Sequence, residues 1–214
     1  MYFGILRSIP FSAGVLLMYK VNVQAVKKEL RNRLSEKRYL HSLAVSESAR
    51  RLALRYQSDP EKAALSGLVH DVCKDESKEK LLQMAKEFGI ILTESERLCP
   101  KLWHAVVGAA YVGRFFTDDS DIINAVRYHT TARPNMSLLE KIIYVADCVS
   151  ADRTYPNVSK LRELSEKSLD SVIFEMTRIT ISELAESGFP LHRDTVDAYN
   201  QLCLKNSEAL YGKK

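Results

Sequence analysis

Apolar residues in this chain recur at three- and four-residue spacing along most of its length, and no segment sustains strict alternation. That period gathers them on one face of a helix, whereas a half-buried strand needs a period of two. Val23, Val26, Leu30 and Leu34 mark a helix over 22–34, and Leu40, Leu43, Ala44, Leu52, Ala53 and Tyr56 mark a second over 38–57. Ser58-Asp59-Pro60-Glu61 reads as the next helix start, with Ser58 and Glu61 as a capping box and Pro60 in the first turn, where its missing N–H is not needed. This helix runs through Ala63, Ala64, Leu68 and Val69 to His70-Asp71. Ser77 caps a helix that stops at Gly89, and Thr93-x-x-Glu96 is a further cap. Pro100 opens an apolar helix through Trp103, Val106, Val107 and Ala110. A shorter helix covers 120–129, Ser137-x-x-Glu140 caps "LLEKIIYVADCV", one long helix fills 160–187 before Gly188, and a last one covers 193–206. The expected fold class is all-α. Eight Gly and six Pro in 214 residues agree with long helices rather than many tight turns.

That length favours one domain with a sizeable core. Residues 21–210 are expected to form it. Residues 1–20 stand apart as an N-terminal extension: "MYFGILRSIPFSAGVLLMY" is apolar but broken by Arg7, Pro10 and Gly14, too interrupted for a membrane span. It lacks a clear small-x-small cleavage site, and Met18 is an alternative start. Residues 1–40 hold eight Lys/Arg against two Asp/Glu, and the rest holds 23 against 25. The basic stretch around Lys27, Lys28, Arg31 and Arg33 reads as a solvated helix face. No exposed aromatics interleave it, so neither nucleic acid nor membrane is an expected partner. Cys73, Cys99, Cys148 and Cys203 form no Cys-x-x-Cys pair, and reduced thiols in a cytoplasmic protein are the simplest reading.

Four of the five histidines fall at or inside apolar helical runs: His41 after Leu40, His70 after Leu68-Val69, His104 after Leu102-Trp103, and His129 after Val126. Asp147 follows Ile142-Ile143-Tyr144-Val145-Ala146, where a carboxylate is costly to bury unless it is paired or metal-bound. Taken singly, each is more often a hydrogen-bonded core residue or a helix cap than a ligand. Together they lie on different helices, apart from the adjacent His70-Asp71, and a helical bundle can aim such residues at one point. His192, in "PLHRDT", reads instead as support for a helix start.

The order His…His-Asp…His…His…Asp resembles the HD-domain metal-dependent phosphohydrolases, and more closely the YqeK family of symmetrical bis(5′-nucleosyl)-tetraphosphatases. The likeness rests on "EKRYLHSLAVSESA" (36–49), "GLVHDVCKD" (67–75), "WHAVVGAAY" (103–111), "VRYHTTARPNMSLLEKIIYVAD" (126–147) and "RTYPNV" (153–158), and it spans roughly 22–206. The resemblance implies an HD-domain helical bundle with a two-metal site in its core. His41, His70, Asp71 and Asp147 would hold one metal, and His104 and His129 the other, with Asp71 bridging. Nitrogen and carboxylate ligands suit iron, manganese or cobalt, and the resemblance implies iron, as divalent or mixed-valence ions. Two metals can activate one water for in-line attack at phosphorus.

By the same likeness the substrate is a dinucleoside polyphosphate, diadenosine tetraphosphate cut symmetrically to two ADP, and a homodimer stays open. Lys74 lies three residues after Asp71, so a continuing helix turn would put both on one side; it is assigned to phosphate binding or leaving-group stabilisation. Arg153 is a phosphate contact through its planar fork, and Thr130, Thr131 and Arg38 are further candidate substrate contacts. Two positions depart from the family pattern: Ala132 stands where a glycine is expected, and Ser150-Ala151-Asp152 where an acidic residue and a proline are expected. Two other readings stay open: a phosphohydrolase of a nucleoside tri- or diphosphate or a guanosine alarmone, and a nucleotide-sensing module without turnover.

Overall fold

The computed structural model describes residues 21–211, so the expected extension and Met18 lie outside the described residues. The elements are α1 (Val23–Arg33), α2 (Glu36–Arg55), α3 (Pro60–Val69), α4 (Lys78–Glu87), α5 (Glu94–Leu98), a 3-10 turn at Pro100–Leu102, α6 (Trp103–Phe115), α7 (Ser120–Tyr128), α8 (Leu138–Val149), α9 (Val158–Ser165), α10 (Leu169–Glu186) and α11 (Arg193–Tyr211). Every described element is helical, in line with the all-α expectation.

The start signals hold with three corrections. Asp59, not Ser58, caps α3: its carboxylate accepts the N–H groups of Glu61 and Lys62. Ser137 accepts the Glu140 N–H, but the Glu140 carboxylate turns to Arg133 and leaves the expected box half made. The single helix expected over 160–187 is two helices, α9 and α10, parted at Glu166–Ser168, where the Ser168 hydroxyl accepts the Ser171 N–H and starts α10. The Thr93–Glu96 box is complete in both directions.

The long α2 packs along α3 and against α8. The α6–α7 pair flanks α8, while α10 covers α8 and α11 packs on α10. Leu30, Leu52, Leu68, Val69, Ile142, Ile143 and Ile173 are buried between these layers, each such side chain contributing roughly 1.5–3 kcal/mol. Gly67 permits the closest approach. A Cβ there would sit 3.0 Å from Ser46 Cα and from Val45 O, so α3 can lie this tightly on α2 only because the position has no side chain. The bundle thereby brings the C-terminal ends of α3, α7 and α8 against the second turn of α2 and the first turn of α6.

Candidate metal centre

Five elements deliver one residue or adjacent pair each to this junction. His70 caps the C-terminus of α3, His129 caps that of α7, and Asp147 lies in the last turn of α8. His41 comes from the second turn of α2 and His104 from the first turn of α6. All four imidazoles and Asp71 are buried. His41 Nε2 lies 3.0 Å and His70 Nε2 3.8 Å from Asp147 Oδ1. On the other side, His104 Nε2 and His129 Nε2 lie 3.2 and 3.4 Å from Asp71 Oδ1 and 3.3 Å from each other. The second Asp71 oxygen, Oδ2, faces His70 Nε2 at 3.5 Å. The six candidate ligand residues are therefore gathered at one place, with Asp71 between the two halves.

The outer ring nitrogens are all engaged, which fixes the inner ones. The Nδ1 atoms of His70, His104 and His129 each lie 2.7–2.8 Å from the carbonyl three residues earlier: Gly67, Lys101 and Val126 respectively. A carbonyl can only accept, so each Nδ1 carries the proton and each Nε2 turns a lone pair inward. His41 has no such carbonyl; its Nδ1 lies 2.7 Å from the Asp152 carboxylate. In the sequence Asp152 stands out only as part of the departure at Ser150-Ala151-Asp152. The structure gives it this orienting role, which ligating histidines commonly need. Arg153 instead reaches back to Asp147, its Nη2 on the carboxylate and its Nε on the Asp147 carbonyl at 2.9 Å.

His70 Nε2 and Asp71 Oδ1 are buried with no hydrogen-bond partner, at the centre of a cluster of inward lone pairs. Such atoms are costly to leave bare, and a cation satisfies both. Three trios have ligand atoms within 4.8 Å of one another: His41, His70 and Asp71; His70, His129 and Asp147; Asp71, His104 and His129. The donor set fits divalent metal. Burial, with His129 and Lys74 nearby, pushes His104 down to about 4 and keeps it neutral, the form a metal takes.

Three cations ring this centre. Arg38 Nη1 donates to Asp71 Oδ2 at 2.9 Å, and Lys74 Nζ stands 3.1 Å from His104 Nε2 and 4.0 Å from Asp71 Oδ1. Arg153 is the third. Lys74 does not ride a continuing helix as expected. The chain leaves α3 at Val69 and tightens into three-residue turns, Val72 N to Val69 O and Lys74 N to Asp71 O, and these bring Lys74 to the site. Thr130 Oγ1, next to His129, is enclosed without a partner, while Thr131 Oγ1 donates to the Ala132 carbonyl at 2.9 Å. Ala132 has φ 56°, the left-handed region that favours glycine, which gives the departure noted in the sequence a physical meaning. His192 lies outside the cluster; its Nδ1 accepts the Asp194 N–H at 3.3 Å at the start of α11.

Comparison with known proteins agrees with this arrangement. The HD domain family matches residues 38–152. The symmetrical bis(5′-nucleosyl)-tetraphosphatase of Bacillus subtilis is 37% identical over 81% of this chain and 93% of its own length. Its namesake in Staphylococcus aureus is 31% identical over 84% and 94%. A crystal structure from Clostridium acetobutylicum, described as an HD superfamily hydrolase involved in NAD metabolism, superposes with TM-score 0.83 at 37% identity, covering 86% of this chain and 98% of that one. With its six histidines and aspartates converging as they do, the chain belongs to the HD-domain family, in its group of symmetrical bis(5′-nucleosyl)-tetraphosphatases.

Proposed function

We propose that this chain hydrolyses diadenosine tetraphosphate symmetrically to two ADP at a dinuclear centre. The observation that carries the reading is the split of Asp71: Oδ1 faces His104 and His129, and Oδ2 faces His70. His41, His70, Asp71 and Asp147 would hold one metal, and His104, His129 and Asp71 the other. Nitrogen and oxygen donors without thiolate are compatible with iron, manganese or cobalt, and the family resemblance puts iron first. When bound, the metals activate water and neutralise charge on the phosphoryl group. The protein's own share is charge and position. Lys74 and Arg38 stand on either side of Asp71, where they can bind the outer oxygens of a polyphosphate; Lys74 can also steady the leaving phosphate. Arg153 offers a planar fork beside Asp147, suited to phosphate once part of that carboxylate's charge is taken up by metal. The Thr130 hydroxyl, enclosed next to His129 and without a partner, is the remaining candidate for a substrate contact.

We read residues 21–210 as a single domain, since one continuous core joins α1 to α11. The cysteines, all free thiols, support a reducing, cytoplasmic location. The test is metal analysis of the purified chain followed by product identification. Two metals per chain and ADP as the sole product support the reading; AMP plus ATP, or hydrolysis only of a nucleoside triphosphate or guanosine alarmone, would overturn it. Asp71→Ala should abolish turnover and lower metal content while the chain stays helical by circular dichroism.

A further inference from the structure

Glu96 lies outside the ligand cluster, yet it is 1% exposed and touches the supports of both His104 and His129. Its carboxylate accepts the Arg127 guanidinium through Oε1 and the Thr93 N–H through Oε2 at 2.8 Å. Arg127 lies on α7, two residues before His129. The Glu96 backbone carbonyl accepts the Trp103 indole N–H at 2.7 Å, and Trp103 opens α6 immediately before His104. His192 Nε2 stands 3.8 Å from Glu96 Oε1 at the head of α11. From that helix the Thr195 hydroxyl donates to the Thr131 carbonyl at 2.8 Å, two residues after His129. His129 is thus held from both sides, and one side runs through Glu96. Among the described residues, no contact of Glu96 reaches the supports of His41, His70 or Asp147.

We infer that the Glu96 carboxylate is a positioning group for His129 in the His104–His129 half of the centre, acting through Arg127 on the helix that ends at this ligand, while the Glu96 backbone carbonyl anchors Trp103 beside His104. The inference rests on the two-metal reading above for its metal readout. Loss of an outer support of this kind costs about 10–100-fold in metal affinity. Glu96→Gln keeps the side chain's shape and removes its charge. Arg127→Lys keeps the charge pair but loses the planar fork, and it serves as the second variant should Glu96→Gln fail to fold.

The experiment uses the full chain, stripped of metal and titrated with manganese(II). Wild type is expected to bind two equivalents. In either variant one equivalent weakens by roughly 10-fold or more and the other is unchanged, as in His129→Ala. Equal weakening of both equivalents, or of neither, overturns the inference. A second readout needs no metal: amide hydrogen exchange of the metal-free chain. Exchange should rise at 126–131, the stretch that the carboxylate steadies, and stay constant at 38–45 and 143–149. A uniform rise, or none, overturns it. If wild type binds a single equivalent, the two-metal reading fails by itself, and the exchange pattern alone decides the role of Glu96.

Discussion

Asp152 and Ala132 show what single residues contribute around the ligands. Asp152 holds the His41 Nδ1 proton, so Asp152→Ala should free the ring to rotate or to take the other tautomer. The expected result is metal affinity weakened about 10–100-fold with unchanged secondary structure, read by competition with a chelator. Wild-type affinity in that variant would remove Asp152 from the account. Ala132 carries a left-handed backbone, which costs a non-glycine residue roughly 1–2 kcal/mol, while its fully buried methyl returns about 0.8 kcal/mol. The backbone cost is the larger, so Ala132→Gly should stabilise the chain by up to about 1 kcal/mol in a urea melt. The candidate ligands are legible in the sequence because each is a polar residue in or at the end of an apolar helical run. Asp152 was not, because it sits in a polar loop 111 residues from its partner and nothing local distinguishes it. Glu96 was legible only as half of a capping box. Its bond to Arg127, 31 residues away, has no sequence signature, although an internal acid beside an apolar helix start could have prompted the question.

The helix α2 and the C-terminal end of α3, with the turn that follows it, carry three of the six candidate ligands, and the spacing of the two helices is set at Gly67. Gly67→Ala would push a methyl against the α2 backbone at Ser46, where no flexible side chain can yield. Overpacking of this kind costs about 1–3 kcal/mol. It should also displace His70, whose Nδ1 is bonded to the Gly67 carbonyl. A fall in both urea midpoint and metal content is expected; loss of neither would show that the two helices can part freely. Element starts were readable where a side chain caps them, as at Ser77 and Thr93. The break between α9 and α10 was not, because the 160–187 stretch keeps helical periodicity and has no Gly or Pro across the gap. Ser168, the cap that starts α10, was the one available signal.

Across the whole molecule, the C-terminal ends of α3, α7 and α8 bring partial negative charge to the same junction as two carboxylates, a setting that favours cations. Arg38, Lys74 and Arg153 offset that charge when no metal is bound, so the metal-free chain should remain helical. It should still melt lower. A metal at 100 times its dissociation constant adds about 2.7 kcal/mol to the native state. For a chain of this size that corresponds to roughly 5–10 °C in Tm on chelation. A Tm indifferent to chelator and to added manganese would mean that the centre binds no metal in the folded state. The last long helix, α11, lies beyond the stretch that the family match covers, yet Thr195 grips the Thr131 carbonyl and Gln201 bonds both the backbone and the side chain of Asn135. During synthesis these anchors leave the ribosome some fifty residues after Asp147, the last candidate ligand. The loop beyond His129 therefore waits, unlatched, for a helix not yet made. Completion of the site is a late event of translation, and a chain released before residue 195 would carry all six candidate ligands without the latch beside His129.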